Sequence, residues 1–101
     1  MRIFMLTVSY LSSPEEVEKY LPAHIAWLEE QYERKVYLLF ARKLPFTGGV
    51  CLAVADSADQ MAEITETDPF RITEVAKYDI QELDLTKANT ISLLEHASHQ
   101  G

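Results

Sequence analysis

Two neighbouring apolar segments constrain the fold of this chain more than any other feature. Residues 36–43, VYLLFARK, and residues 49–55, GVCLAVA, read as strands, and the turn-rich LPFTGG between them predicts a β-hairpin. In an antiparallel sheet with one wet face, apolar and polar residues alternate along each strand. Here both alternating sets are apolar. Both faces of the predicted sheet therefore need to be covered.

The order of strands and helices predicts the fold class. Runs of β-branched and aromatic residues indicate strands, and apolar residues at three- and four-residue steps indicate helices. Together with the hairpin they give the order βαββαβ, with strands at 2–10, 36–43, 49–55 and 74–83. The helical segments are at 14–34, after the capping residue Ser13, and at 58–67, after the capping pair Asp56-Ser57. This order predicts an α+β, ferredoxin-like fold with a four-stranded antiparallel sheet and two helices on one face.

We expect one ferredoxin-like domain at 1–84, followed by a C-terminal tail at 85–101 that is at best weakly helical and frays. The helices cover one face of the sheet only. A second copy of the chain offers the same apolar face, so we expect a homodimer through the helix-free face, as a dimeric α+β barrel. The alternative is a moderately apolar exposed surface, which is normal for soluble proteins.

Charge and cysteine content narrow the classes of partner. Lysine and arginine number 9 against 16 acidic residues, for a net charge of −7, and no basic cluster is present. Nucleic acid and anionic membrane surfaces are therefore disfavoured, because both are bound through basic residues. The one cysteine, Cys51, has no partner for a disulfide or zinc pair, which favours the cytoplasm. No segment predicts a signal peptide or a membrane span.

A proline and a histidine interrupt the first helical segment, in the stretch LPAHIAWL at 21–28. Pro22 cannot donate a backbone hydrogen bond, so we predict a break, with one helical piece before it and a second that begins at it. His24 then lies in a first turn, where the helix dipole favours the neutral imidazole. A neutral ring can accept a proton, which makes His24 a candidate catalytic base. The alternative is a partly buried histidine paired with a backbone carbonyl.

Asp68, in the motif TDPF, is the second candidate catalytic residue. An aspartate before a proline is commonly a helix cap, and this alternative is strong. In a βαββαβ fold, however, the segment before strand four can approach the first helix. A carboxylate there could orient His24 and stabilise its protonated form. We expect both side chains to face one cleft, within reach of a direct or single-water hydrogen bond.

Four further residues are candidates for substrate binding. Arg42 ends strand two and could hold an anionic group, although such an arginine is usually solvated. Gly48 and Gly49 suit the hairpin turn and would also let a ligand approach backbone N–H groups. Ser9, which with Tyr10 ends strand one, could line the same region.

No cofactor and no metal site are expected. Glu95, His96 and His99 have a metal-like spacing, but in a fraying tail this spacing favours adventitious affinity only. The segment TGGV has too few glycines for a phosphate loop, and no helix follows it. The expected chemistry therefore uses protein side chains alone.

Three motifs, PAHIAWL, TGGVCLAVA and TDPF followed by AKYDIQEL, resemble those of the YciI-like family of small dimeric ferredoxin-fold proteins in their order and spacing. The resemblance runs from strand one through Leu83. It implies a site centred on a histidine and an aspartate, which map onto His24 and Asp68. Many relatives carry a glycine-proline pair after strand two where this chain has Ala41-Arg42-Lys43, which implies a different pocket lip. Lyase-like chemistry on small ring compounds, including elimination of hydrogen halide, has been linked to the family.

These features favour a cofactor-independent lyase, isomerase or hydrolase in which His24, oriented by Asp68, moves a proton on a small organic molecule. One alternative is a non-catalytic dimer that binds a small metabolite in the same cleft. Another is a cofactor-free or haem-using monooxygenase, by analogy of fold alone.

Overall fold

The computed structural model of the chain describes residues 1–98 and contains one antiparallel sheet and four helices within them. The strands lie in the order β2-β3-β1-β4, so the first and fourth strands are neighbours. The predicted α+β fold with a ferredoxin-like βαββαβ sheet is confirmed. In chain order the elements are β1 (Arg2–Tyr10), α1 (Pro14–Glu33), β2 (Tyr37–Arg42), β3 (Gly48–Ala55), α2 (Ala58–Thr65), α3 (Pro69–Ile72), β4 (Ala76–Leu83) and α4 (Thr90–Ser98).

The helix α1 continues through Pro22, so the predicted break was wrong. A proline inside a helix removes one hydrogen bond and costs about 3 kcal/mol. Most of the stability of a helix in a protein comes from packing of its apolar face. The apolar face of α1 is buried both before the proline, at Val17, and after it, at Trp27 and Leu28. His24 therefore lies in the middle of α1, and the helix dipole does not act on it as predicted.

The starts of the two main helices follow from their caps. Ser13 accepts a hydrogen bond from the N–H of Glu16, and Ser57 accepts one from the N–H of Gln60. A serine side chain in this position satisfies one of the N–H groups that a helix start leaves unpaired. Both helix starts were predicted, whereas α2 ends at Thr65, two residues before the predicted end.

A β-bulge in β2 changes which side chains face the helices. The pairing with β3 shifts between Tyr37 and Leu39, and the intervening Leu38 is 48% exposed. As a result Tyr37 lies opposite Ala53 and Phe40 lies opposite Cys51, both on the buried side of the sheet. The regular alternation that the sequence predicts, with Tyr37 and Leu39 on one face, was therefore wrong for this strand.

The two faces of the sheet are both apolar at its centre. Phe4, Leu6 and Val8 of β1 are buried beneath the helices. The residues between them on the strands face the other way and are partly buried in a single chain; on this helix-free face lie Met5, Thr7, Leu39, Val50, Leu52 and Val54. Polar residues appear on that face mainly along β4. Within residues 1–98 no helix is both long and apolar enough to cross a membrane.

Candidate active site

A hydrogen bond between His24 and Asp68 joins the middle of α1 to the corner that leads into β4. The Nδ1 atom of His24 lies 2.7 Å from Oδ1 of Asp68. One turn further along α1, the indole N–H of Trp27 donates to the hydroxyl of Thr67 at 3.0 Å. Two side-chain contacts therefore hold these segments together, and the fold itself sets the distance between the imidazole and the carboxylate.

Asp68 is a fully buried acceptor whose two oxygens both have partners. Besides His24, Oδ1 accepts the backbone N–H of Phe70 at 2.9 Å, which caps α3. The hydroxyl of Tyr78 donates to Oδ2 at 2.5 Å. A carboxylate in its ionised form accepts hydrogen bonds and cannot donate them, and with Asp68 in that form Nδ1 of His24 is the donor in their hydrogen bond. The capping alternative and the pairing with His24 are thus both present in one carboxylate.

The other ring nitrogen of His24, Nε2, is open to a cavity that His24 lines. Within residues 1–98, Nε2 makes no hydrogen bond to protein, and no buried side-chain nitrogen or oxygen there lacks a partner. Nε2 must therefore be reached by solvent, although His24 as a whole is only 8% exposed. The ring stacks on Phe70, with centroids 3.8 Å apart. In the tautomer with the proton on Nδ1, this arrangement presents Nε2 as a hydrogen-bond acceptor on a firmly held ring.

The cavity beside His24 has a volume of about 360 Å³ and lies between α1 and the ends of β1, β2 and β3. The imidazole of His24 and the guanidinium of Arg42 are its most polar side chains, and Gly48 and Gly49 supply backbone. Small-molecule sites are typically concave and apolar with a few placed polar groups. The remaining lining is mostly apolar: Val8, Tyr10, Leu21, Ile25, Leu28, Phe40, Ala41 and Cys51.

Four of the six predicted site residues line this cavity: His24, Arg42, Gly48 and Gly49. Asp68 does not, because it is fully buried behind His24; the expectation that both side chains face one cleft was wrong for Asp68. Ser9 pairs with Gly48 across the strands, but it lies between Val8 and Tyr10 along β1 and so points to the opposite face of the sheet. The structure does not bring Ser9 to the cavity.

The lip of the cavity is formed by Arg42 and the two glycines. The guanidinium of Arg42 lies over the ring of Phe46, 3.8 Å from its centroid. At Gly48, φ is +153°, and a Cβ atom there would stand 1.9 Å from the carbonyl oxygen of Val8. At Gly49 a Cβ atom would stand 2.8 Å from the carbonyl oxygen of Ala41. The glycines thus allow three strands to approach closely beside Arg42.

Two tyrosines belong to the polar network of the site and were missed in the sequence. Tyr78 donates to Asp68, and the hydroxyl of Tyr37 lies 3.5 Å from that of Tyr78. Burial raises the pKa of both hydroxyls above the usual range, so both stay protonated and available as donors. The available signal was the alternation along β4, which places Tyr78 on the buried face, where a tyrosine hydroxyl usually has a partner.

The thiol of Cys51 lines the cavity without being a nucleophile. Burial raises its pKa to about 12, so the reactive thiolate is scarce near neutral pH. Among residues 1–98, no three histidine, cysteine, aspartate or glutamate side chains lie close enough together to hold a metal ion. The third member of the metal-like spacing in the tail, His99, is outside the described residues.

Comparison with known proteins gives one family and a structural relative. The model of a family described as the YCII-related domain matches residues 1–84. Among solved structures, the chain is similar to 5-chloro-2-hydroxyhydroquinone dehydrochlorinase from Burkholderia phenoliruptrix, in complex with 2,5-dihydroxybenzoquinone, at a TM-score of 0.70 and 17% sequence identity. The similarity covers 81% of this chain and 93% of that chain, and at this identity it shows the fold alone. No match is found among curated proteins.

Proposed function

The chain belongs to the YCII-related domain family, and we propose that it is a small enzyme in which His24, held by Asp68, moves a proton on a small organic molecule without a metal or organic cofactor. The observation that carries the proposal is the 2.7 Å bond from Nδ1 to Asp68, which leaves Nε2 open to the cavity. A positioned imidazole of this kind typically contributes about 10²- to 10⁴-fold to a reaction rate.

In the proposed reaction, Nε2 of His24 takes a proton from a carbon or hydroxyl group of the substrate. The electron pair left behind forms a double bond, while a leaving group departs with its own electron pair, so the net change is an elimination. The carboxylate of Asp68 and the ring face of Phe70 both contact the imidazole and stabilise its positive charge. Loss of the proton from Nε2 to water restores the enzyme. An isomerisation would instead return the proton to another substrate atom.

The cavity favours a ring compound that carries one anionic group. Its walls are mostly aliphatic and aromatic, and Arg42 is the cation at its lip. A guanidinium suits a carboxylate or a phenolate, because it offers several donors in one plane. The structural relative is named for a chlorinated hydroxyhydroquinone. This name supports a first search among halogenated phenols, with small lactones as a second group.

Two copies of the chain are proposed to pair through the helix-free face. Met5, Val50 and Leu52 lie on it and are partly buried already in a single chain. A second copy would remove this apolar area from water without leaving backbone groups unpaired. A cytoplasmic location belongs to the same proposal, since Cys51 is a free buried thiol.

The second candidate function is a non-catalytic protein that binds the same class of molecule. The observation in its favour is that His24 is 8% exposed, whereas Arg42 is freely accessible. A ligand could then bind through its anion and its apolar ring alone.

Turnover of a panel of halogenated phenols and small lactones tests these two functions. We expect at least one compound to be consumed, and His24→Asn to lower its kcat/KM by about 100-fold or more. His96→Asn is the matched control, because His96 is an exposed histidine in α4, and it should leave turnover unchanged. Equal rates in the wild type and His24→Asn would contradict the enzymatic proposal, and tight binding without any turnover would favour the second function.

A further inference from the structure

We propose that Tyr78 is a positioning residue, which fixes the carboxylate of Asp68 and through it the side of the His24 ring that carries the proton. The inference rests on the proposed function, in which Nε2 must be unprotonated and face the cavity. It adds a residue from β4 to the pair of His24 and Asp68, which come from α1 and from the corner before β4.

Tyr78 is the hydrogen-bond donor to the second oxygen of Asp68, Oδ2. His24 and the N–H of Phe70 both bond to Oδ1, whereas Oδ2 is bonded to the hydroxyl of Tyr78 at 2.5 Å. With partners on both oxygens, the carboxylate cannot rotate about its last bond without breaking a charge-assisted hydrogen bond. Without the Tyr78 hydroxyl only one oxygen is held, and the carboxylate can turn away from Nδ1 of His24.

Tyr37 is the second polar neighbour of the Tyr78 hydroxyl. Its hydroxyl lies 3.5 Å from that of Tyr78, and because Tyr78 donates its proton to Asp68, Tyr37 is the donor in this long contact. A hydroxyl that receives a hydrogen bond in this way keeps its own proton for another acceptor, here Oδ2 of Asp68. Tyr37 is 1% exposed and packs edge-on against Trp27 of α1, with centroids 5.4 Å apart. Packing in the core therefore holds the Tyr37 hydroxyl in its position beside Tyr78.

No other titratable side chain near the His24–Asp68 pair, among the described residues, takes the place of Tyr78 as a donor to Oδ2 of Asp68. From the elements packed around the pair, Tyr10 of β1, Arg42 of β2 and Cys51 of β3 line the cavity on the far side of His24. Within residues 1–98 none of these three hydrogen-bonds the carboxyl of Asp68. The structural alternative is that Tyr78 only fills space, in which case its ring matters and its hydroxyl does not.

The tautomer of His24 distinguishes positioning from packing. In protein labelled with ¹⁵N-histidine, the nitrogen chemical shifts report which ring atom carries the proton, and comparison with His24→Asn assigns the signal. We expect the wild type to show the Nδ1–H form. Tyr78→Phe keeps the ring and removes the hydroxyl, and we expect it to change the tautomer ratio by about tenfold toward Nε2–H, as loss of one hydrogen bond to a charged group would.

Two further variants control the experiment. Tyr32→Phe removes a hydroxyl from a half-exposed tyrosine near the end of α1 and should leave the ratio unchanged. Tyr37→Phe should shift the tautomer ratio in the same direction by a smaller factor. If Tyr78→Phe does not fold, Tyr37→Phe replaces it as the test variant. An unchanged ratio in folded Tyr78→Phe, or in Tyr37→Phe as its replacement, overturns the inference.

The outcome is independent of whether a substrate has been found. A tautomer change in Tyr78→Phe without turnover in the wild type would support positioning and contradict the enzymatic function. Loss of turnover in His24→Asn with an unchanged tautomer in Tyr78→Phe would support the function and contradict positioning.

Discussion

The imidazole of His24 lies flat against the ring of Phe70, with their centroids 3.8 Å apart and their planes 6° from parallel. Phe70 is two residues after Asp68, and its own N–H donates to the carboxylate that holds His24. The short helix α3 and its capping residue Asp68 thus supply both the anion beside the imidazole and the ring against which it packs. A change in the backbone conformation of this turn would displace both Asp68 and Phe70 from His24.

Asp68→Asn should separate the electrostatic role of this residue from its capping role. Asparagine caps helices about as well as aspartate, but its amide nitrogen cannot accept the hydrogen bond that one carboxylate oxygen accepts, so we expect the thermal midpoint to fall by about 5 to 15 °C. The negative charge that stabilises protonated His24 is lost, and we expect kcat/KM to fall by about 100-fold on a substrate that the wild type converts. Asp59→Asn, in the exposed first turn of α2, is the control. Full activity in Asp68→Asn would exclude a catalytic contribution from the charge.

Arg42→Ala should weaken binding of anionic ring compounds. Loss of the guanidinium at the cavity lip removes a charge-assisted hydrogen bond, and we expect the Kd of a halogenated phenolate or a benzoate to rise about tenfold. Isothermal titration calorimetry measures this change. Arg34→Ala makes the same change in net charge at the C-terminal end of α1, outside the cavity, and should bind as the wild type does. Indifference of binding to Arg42→Ala would place the anion elsewhere.

Leu52→Glu should disrupt the proposed homodimer. Leu52 lies at the centre of the helix-free face, opposite Met5 of β1 and Leu39 of β2. An unpaired carboxylate buried between two copies would cost several kcal/mol. We expect light scattering to give twice the 11.5 kDa mass of the chain for the wild type and the single mass for Leu52→Glu. Glu63→Gln on α2 is the control, and a wild-type monomer at micromolar concentration would rule out the dimer.

Gly48→Ala should destabilise the sheet strongly. The added methyl group would meet the carbonyl of Val8 at 1.9 Å, and φ at this position is +153°. Backbone cannot yield cheaply to such a contact, so we expect a loss of about 3 kcal/mol or more in unfolding free energy. Urea denaturation followed by circular dichroism measures it. Wild-type stability in Gly48→Ala would show that β1 and β3 can separate here.

Stability should fall in alkaline solution. Burial raises the pKa of Cys51 from 9.0 to about 12, and it raises the pKa of Tyr37 and Tyr78 as well. The unfolded chain therefore loses these protons at a lower pH than the folded chain does. Stability from Cys51 is fully present below pH 9 and is lost as the pH rises toward 12, at about 1.4 kcal/mol per pH unit. Thermal unfolding between pH 8 and 11 measures the slope, and Cys51→Ala should make it shallower; a slope that Cys51→Ala leaves unchanged would contradict this assignment.

Features that depend on near neighbours in the sequence could be predicted well. The helix starts at Ser13 and Ser57 follow from residues within one turn of each other, and the strands of the hairpin follow from their composition. The break at Pro22 was wrong because the cost of a proline is local, while the packing that offsets it comes from the sheet. The bulge at Leu38 has no local signal either, since every residue around it is apolar.

Topology and family resemblance predicted the pair of His24 and Asp68, and the rest of the polar network around them was not predictable. Neighbouring first and fourth strands bring Asp68 toward α1, and the motifs point to the same two residues. The burial of Asp68 and its bond to Tyr78 depend on side-chain packing across α3 and β4, which the spacing of residues does not encode. Ser9 was misplaced for a simpler reason: neighbouring residues of a strand point to opposite faces, so its proximity to Tyr10 in the sequence was misleading.

The extra residue Leu38 also bears on aggregation. β2 is an outer strand of the sheet, and an outer strand presents unpaired N–H and C=O groups on which a foreign strand could grow. A bulge interrupts the regular spacing of those groups and increases the local twist, so a further strand cannot pair along the whole edge. The bulge that places Tyr37 in the core thereby also protects the β2 edge of the sheet from pairing with strands of other molecules. Self-association would then be confined to the apolar helix-free face, where the proposed pairing ends at two copies.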